Sequence, residues 1–361
     1  MEYQGQNLKE ITVIITAHDR TKYLNQAINS VINQTINKSR YEVIVIKNFK
    51  SKEIDELIER EGFINIDANQ NSKMGEDLYL GLINSHSDII CFLDDDDVFN
   101  ETKLENVLKV FSRDPSLSLY VNARAYANED LTKISHKAIG YDIESELYIN
   151  DNQSDLLLLP ILFNMSSICI KKRVLTDFLN ILNKINFSPD DFMFFVTLCN
   201  QGKIYRDSKR LTIYRMHESS SQANAGGDLE KFLSEKRKIL ERHITTYIYF
   251  KDMFKNCRSA LVKAAIEFVI TDVKINLAFL TYNNEYNLSL NEMIKYHTIL
   301  IKSFFSLIIR RKLERKKIFR FFLWYEIKFF IILLKKIPGS RILIKFWNRR
   351  EYNLKKALLN H

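Results

Sequence analysis

Glycine and proline are both scarce in this chain, 9 and 4 among 361 residues, and there are only four cysteines. So few turn residues argue against a sandwich of many short strands and exclude a collagen-like or low-complexity class. Cys91, Cys169, Cys199 and Cys257 lie far apart and form no C-x-x-C pair. That spacing offers neither a zinc site nor a disulfide framework, so all four read as small buried hydrophobes. No internal repeat is visible, and no run approaches the roughly 18 apolar residues that a membrane span needs. The opening MEYQGQNLKE lacks a basic region followed by an apolar core, so a reducing, cytoplasmic setting is expected.

What is present is a core. With 46% hydrophobic residues the chain can bury one large domain and a second unit. Its charge is uneven. Residues 310–361 hold 16 Lys and Arg against Glu314, Glu326 and Glu351, a net of +13, which leaves −4 for the first 309 residues of a chain totalling +9. Any attraction to anionic partners therefore belongs to the tail.

The first half alternates strand and helix signals. ITVIIT (11–16), YEVIVI (41–46), FINI (63–66) and DIICFL (88–93) are short apolar runs that read as buried strands. Between them, helices are predicted after Asp19 through Ile32, over 52–60 with Ser51 as N-cap, and over 74–86, with another at 101–112. This alternation predicts βαβ units in a mostly parallel sheet with helices on both faces. Strands are also expected in SLYVNARAYA, SSICI and LTIYRMH, and helices over 171–182 and 191–201. AGGD (225–228) is the clearest break, so an α/β domain over 1–226 and an all-α domain over 227–361 are expected.

CFLDDDDVFN (91–100) runs the fourth predicted strand into four aspartates. Ligands of such sheets bind beyond the carboxyl ends of the strands, which is where these carboxylates sit. Close carboxylates are tolerable when a divalent cation neutralises them, and Mg²⁺ takes one or two together with substrate phosphates. If the strand continues, Asp94 and Asp96 share one side while Asp95 and Asp97 point elsewhere. Two rivals remain: a solvated loop capping the next helix, and the D-x-D-x-[TV] nucleophile loop of haloacid-dehalogenase-like phosphatases. That phosphatase loop usually follows the first strand of its domain, whereas three strands come first here.

Five motifs in order resemble family 2 glycosyltransferases of the GT-A fold. They are ITVIITAHDRTKYLNQAINSVINQT, with its Leu24, Ala27, Ile28, Ser30, Val31, Gln34, Thr35 helix, then YEVIVI, SHSDIICFLDDDD, SPDDFMFFVTLCNQGKIYRD and YRMHESSS. The resemblance covers about residues 11–221. It implies an inverting, metal-assisted transfer of sugar from a nucleotide-diphosphate donor, most readily a UDP-sugar, to a glycan or lipid-linked acceptor. It further implies that Thr16 and His18 line the base pocket and that Asp94 and Asp95 lie near ribose and diphosphate. Asp96 would hold Mg²⁺ or Mn²⁺, His217 would touch metal or diphosphate, and Asp191 would be the general base. Asp190 could instead cap the helix. Two departures stand out. Where the family ends its second strand in D-D-G-S this chain has Lys47-Asn48-Phe49-Lys50, and Leu78 replaces a usual arginine. Asn48 could still meet the base edge; a catalytically weak binding or scaffold protein is the alternative.

On a helix, Lys317, Arg320, Lys328 and Lys335 fall within about 80° of one another, with Phe319, Phe322, Leu323 and Phe330 elsewhere around it. Both tryptophans, Trp324 and Trp347, lie in this tail. A basic stripe with aromatics suits the inner face of an anionic membrane. Packing within the helical domain, or against a second copy as a homo-oligomer, is the other use of those faces. Nothing upstream resembles a base-reading module, so no nucleic-acid partner is expected.

Overall fold

A computed structural model describes residues 9–136, 146–149, 164–217, 228–281, 288–310 and 340–359, with scattered positions between 319 and 330. They divide into two compact units, the second beginning after Arg215 and including the short segment Asn128–Lys133. The predicted break at 225–227 lies outside the described residues, as do Lys317, Arg320, Trp324, Lys328 and Lys335.

The first unit opens with β1 (Ile11–Ala17), α1 (Leu24–Ile32), β2 (Tyr41–Lys47), α2 (Lys52–Arg60), β3 (Ile64–Asp67), α3 (Met74–Ile83) and β4 (Ile89–Asp94). It continues with β5 (Val98–Phe99), α4 (Lys103–Arg113), β6 (Leu117–Ala127), β7 (Ile134–Ser135), β8 (Leu147–Ile149) and β9 (Ile168–Lys171). Then come α5 (Lys172–Leu175), α6 (Leu179–Leu182), α7 (Pro189–Cys199) and β10 (Lys203–Arg215). The helix expected over 171–182 is thus interrupted, by a 3₁₀ turn at Thr176–Phe178.

The strands form one sheet in the order β3-β2-β1-β4-β9-β6-β10-β5, with β7 beside β6 and β8 beside β10. The first four are parallel, as their crossover helices require. Beyond β4 the sheet is mixed, because β9 runs antiparallel to both β4 and β6 while β6 and β10 are parallel.

β1, β2 and β4 are buried on both faces, which explains their unbroken apolar sequences. Ile11, Val13 and Ile15 pack in one core with Leu24, Ala27, Ile28 and Val31 of α1. α3 covers the other face through Gly81, where a Cβ would come within 2.7 Å of Ile14 and 2.9 Å of Ile46. Cys91 and Cys169 are free and buried, as their apolar context predicts. Cys199 and Cys257 are disulfide-bonded, so for these two the expectation of free thiols fails.

The second unit contains α8 (Leu229–Met253), α9 (Ala260–Thr281), α10 (Leu290–Arg310) and a helix over Ser340–Leu359, here α11. Asp228 caps α8 by accepting the Lys231 N–H at 2.8 Å. Phe268 stacks on Tyr296 at 4.6 Å, and the Tyr296 hydroxyl donates to Asp272 at 3.0 Å. No described helix is long and apolar enough to cross a membrane.

α3 begins against a turn of backbone. A Cβ at Gly75 would collide with the carbonyl oxygens of Leu182 and Ile185, which backbone cannot yield cheaply, and the Gly75 N–H donates to Ile185 at 2.9 Å. Gly75→Ala should cost about 2 kcal/mol in urea unfolding, as overpacking does. An unchanged midpoint would show that α3 is not pinned there.

Candidate active site

The strand ends of the parallel half share one level. Thr16 of β1 lies beside Asp94 of β4, Ala17 beside Lys47 of β2, and Lys47 beside Asp67 of β3. The loops that follow therefore converge on one edge.

β4 stops at Asp94, and the chain turns instead of extending: the Asp97 N–H donates to the Asp94 carbonyl at 3.2 Å. The alternation expected of a continuing strand does not hold. Asp97 swings back beside Asp94 and Asp96, and one oxygen from each of these three carboxylates lies within 4.8 Å of the others. Asp97 is 1% exposed and Asp95 3%, while Asp94 and Asp96 are half-buried.

Cations and donors surround this turn. Arg20 reaches Asp95 Oδ1 at 2.6 Å and Asp96 Oδ2 at 2.8 Å. Arg215 donates from Nε to the Asp96 carbonyl at 2.7 Å and from its backbone N–H to Asp97 at 3.1 Å. Its guanidinium lies over the Tyr23 ring at 4.5 Å and bonds Gln26 at 2.6 Å. Asn164 donates to Asp97 at 2.8 Å; the Ser166 hydroxyl accepts the Asp94 N–H at 3.0 Å and donates to its carboxylate at 3.2 Å. Beneath them Lys103, fully buried, bonds the Ser166 carbonyl and Thr212.

The local electrostatics follow from this packing. Burial first, then repulsion by Asp96, pushes Asp97 up to about 7 against the pull of Ser166 and the Arg215 N–H. Asp94 is raised well above the carboxylate range by burial and by Asp97, Asp96 and Asp95. Burial disfavours the Arg20 charge, but Asp96 and Asp95 outweigh it and its pKa is raised. Hard oxygen donors crowded by mutual repulsion fit a divalent cation that would neutralise them.

A second group sits over β1, β2 and α3. Asn48 accepts the Asp19 N–H at 2.8 Å and turns its amide to Asp19 at 2.9 Å and to the Gln70 carbonyl at 3.1 Å. His18 lies 3.4 Å from the same amide, its side chain half-exposed. Lys47 is fully buried and paired with Asp55 at 2.8 Å and Asp67 at 3.2 Å. Its charge is spent under the site. Leu78 is core.

α7 brings Asp190 and Asp191 into its first turn, after Ser188 in the left-handed conformation and Pro189. Ser188, not Asp190, is the N-cap. Asp191 is 5% exposed; Asp190 is half-buried and pushed by burial to about 6, against backbone N–H groups and Arg124. Arg124 of β6 pulls down both Asp190 and Asp97, so it links the pair electrostatically to the aspartate turn. His217 is buried and belongs to the second unit. Sequence reasoning missed Arg20, although AHDR displays it, and missed Asn164 and Arg124, which carry no local signal.

A parallel sheet half with an acidic turn at its edge, continued by mixed strands, defines a GT-A domain. Residues 12–178 match the model of the family described as Glycosyl transferase family 2. Over 103 residues the chain is 36% identical to an uncharacterized glycosyltransferase of Rickettsia bellii (strain RML369-C), a match spanning 28% of this chain and 15% of that protein. Over 222 residues it is 27% identical to an uncharacterized glycosyltransferase of Haemophilus influenzae, covering 59% of this chain and 71% of the relative. S. aureus TarS 1–349 in complex with UDP-GlcNAc superposes with a TM-score of 0.51 at 15% identity, over 82% of this chain and 81% of that one. The same protein with UDP gives 0.50 at 13% identity, over 97% and 90%. At such identities the likeness establishes the fold.

An acid whose pKa is raised on folding binds its proton more tightly folded than unfolded. Stability from Asp97 is therefore full below its ordinary 3.8 and is lost as pH rises through about 7. Urea unfolding without divalent cations should show stability falling from about pH 4 to about pH 8, with a shallower fall for Asp97→Asn. Equal slopes would mean that the turn ionises freely.

Proposed function

We propose that the chain transfers a sugar from a nucleoside diphosphate donor, a UDP-sugar, to a hydroxyl of a glycan or lipid-linked acceptor with inversion. The observation that carries this is the cluster of Asp94, Asp96 and Asp97 at the β4 edge, where Thr16 lies beside Asp94. TarS, which shares the fold, is seen with UDP-GlcNAc and with UDP.

Asp96, with Asp94 and Asp97, would hold Mg²⁺ or Mn²⁺. When bound, that ion supplies positive charge to the donor diphosphate as it leaves. Thr16, His18 and Asp95 would line the nucleotide side of the site, with Asn48 bracing it through Asp19 and Gln70. Arg20 and Arg215 fix the turn so that its carboxylates do not reorganise during the reaction. Asp191 takes the acceptor proton as the hydroxyl oxygen bonds to the anomeric carbon and the bond to the diphosphate breaks.

Transfer or hydrolysis assayed across UDP-, GDP-, CDP-, dTDP- and ADP-sugars with Mn²⁺ should select UDP. Asp191→Asn should lower kcat about 100-fold or more with donor KM little changed, as loss of a general base does. Failure to bind any donor would overturn the reading.

A specific surface also favours membrane docking, as the basic tail suggested. On α11, Ile342 (72% exposed), Leu343 and Phe346 (64%) are exposed together with Lys345, Arg349 and Arg350. At about 100° per residue these six share one face. Ile344, Trp347 and Asn348 are buried on the other. Apolar side chains flanked by cations suit an anionic lipid interface. The full chain should co-sediment with phosphatidylglycerol vesicles and not with phosphatidylcholine vesicles, and Phe346→Ser with Lys345→Glu should abolish it. Sedimentation indifferent to both changes would remove the claim.

A further inference from the structure

Asp77 is a buried acid without a structural task. It is 3% exposed, yet among the described residues it enters no ion pair. It does not cap α3 either, because Glu76 takes the Lys73 N–H at 3.2 Å. Its Oδ1 has no hydrogen-bond partner, and neither has the buried hydroxyl of Ser72, five residues earlier. Burial raises its pKa, partly offset by the nearby Ser72 hydroxyl and by His18. The hydroxyl is thus close but not in regular hydrogen-bond geometry. A buried carboxylate left this way costs stability, and such groups persist where a ligand completes them.

Its position is informative. α3 starts beyond the carboxyl end of β3, on the edge where His18 and Asn48 also lie. Gly75 locks the first turn of α3 against the Leu182 and Ile185 carbonyls, so Asp77 stands on a fixed element. Asn48 has its amide oxygen and nitrogen engaged by Asp19 and Gln70, which leaves it poorly placed to read a base. The second strand ends in Lys47, whose charge is consumed by Asp55 and Asp67. A carboxylate to read the base is thus absent from β2 and present on α3.

We infer that Asp77 and Ser72 read the edge of the donor base, selecting one that presents an imino N–H beside a carbonyl, as uracil does. This rests on the nucleotide-sugar reading above. Asp77 accepts the N–H and the Ser72 hydroxyl donates to the carbonyl. Cytosine presents an acceptor nitrogen at the equivalent position, which would face the carboxylate and be refused.

UDP and CDP differ only at this edge, so calorimetric titration of the full chain with each, in Mn²⁺, isolates it. Wild type should bind UDP at least tenfold more tightly than CDP. Asp77→Asn, whose amide can both donate and accept, should bring the ratio near one or invert it, while Ser72→Ala should weaken UDP binding severalfold with CDP unaffected. Thermal melts of both variants check folding, and Ser72→Ala carries the test if Asp77→Asn does not fold. A wild-type ratio near one, or a ratio kept in both variants, would overturn the inference and leave the glycosyltransferase reading standing. Absence of binding by any nucleoside diphosphate to wild type would overturn both.

Discussion

Four consecutive carboxylates folded into one turn are the constraint on which the rest of this α/β unit depends. Asp97 folding back onto Asp94 concentrates negative charge where burial already disfavours it. The turn survives because two arginines from opposite ends of the domain meet it, Arg20 after β1 and Arg215 at the end of β10. Neither neutralises Asp94 and Asp97 directly by side-chain pairing in the described contacts; Arg20 takes Asp95 and Asp96, and Arg215 supplies backbone and carbonyl contacts. Asp95 is therefore held by protein, while Asp94, Asp96 and Asp97 keep one oxygen each close enough together for a cation, with Arg20 steadying Asp96. Such division lets a site keep its geometry while retaining charge for a ligand.

The helix motif that carries much of the family resemblance also finds its physical role here. Ser30 accepts the Phe99 N–H at 3.0 Å, Gln34 accepts the Leu104 N–H at 2.9 Å and donates to the Asn100 carbonyl at 2.9 Å, and Thr35 donates to Glu105 at 3.0 Å. These residues stitch α1 to the segment that leaves the aspartate turn. In the sequence they look like one face of an amphipathic helix. In the fold they clamp the far side of the acidic loop, so the motif serves the site without touching it.

The parallel half was legible because its signals are local: apolar runs of strand length, helical spacing between them, and an acidic strand end. Boundaries moved by one to three residues where caps and turns decide them, as at Ile89–Asp94 and Pro189–Cys199. The mixed half was less legible, since β9 pairs with β4 and β6 through contacts far apart in sequence. The side of Asp97 was misread because a strand was assumed to continue, although a run of aspartates favours a turn. Lys47 stands in the sequence where the family has a carboxylate, and only the register with Asp67 and the reach of Asp55 show its charge paired within the scaffold.

That last point bears on how the domain tolerates its departures. A buried lysine requires a paired acid, and here two acids from α2 and β3 provide it, so the charge change at the end of β2 is settled within the scaffold. Leu78 likewise joins the core rather than leaving a cavity. What the same region does not settle is Asp77, buried beside His18 with an unpartnered oxygen. Compensation that is complete at Lys47 and incomplete at Asp77 separates structure from recognition: the first pair closes on itself, and the second group still awaits a donor from outside the chain.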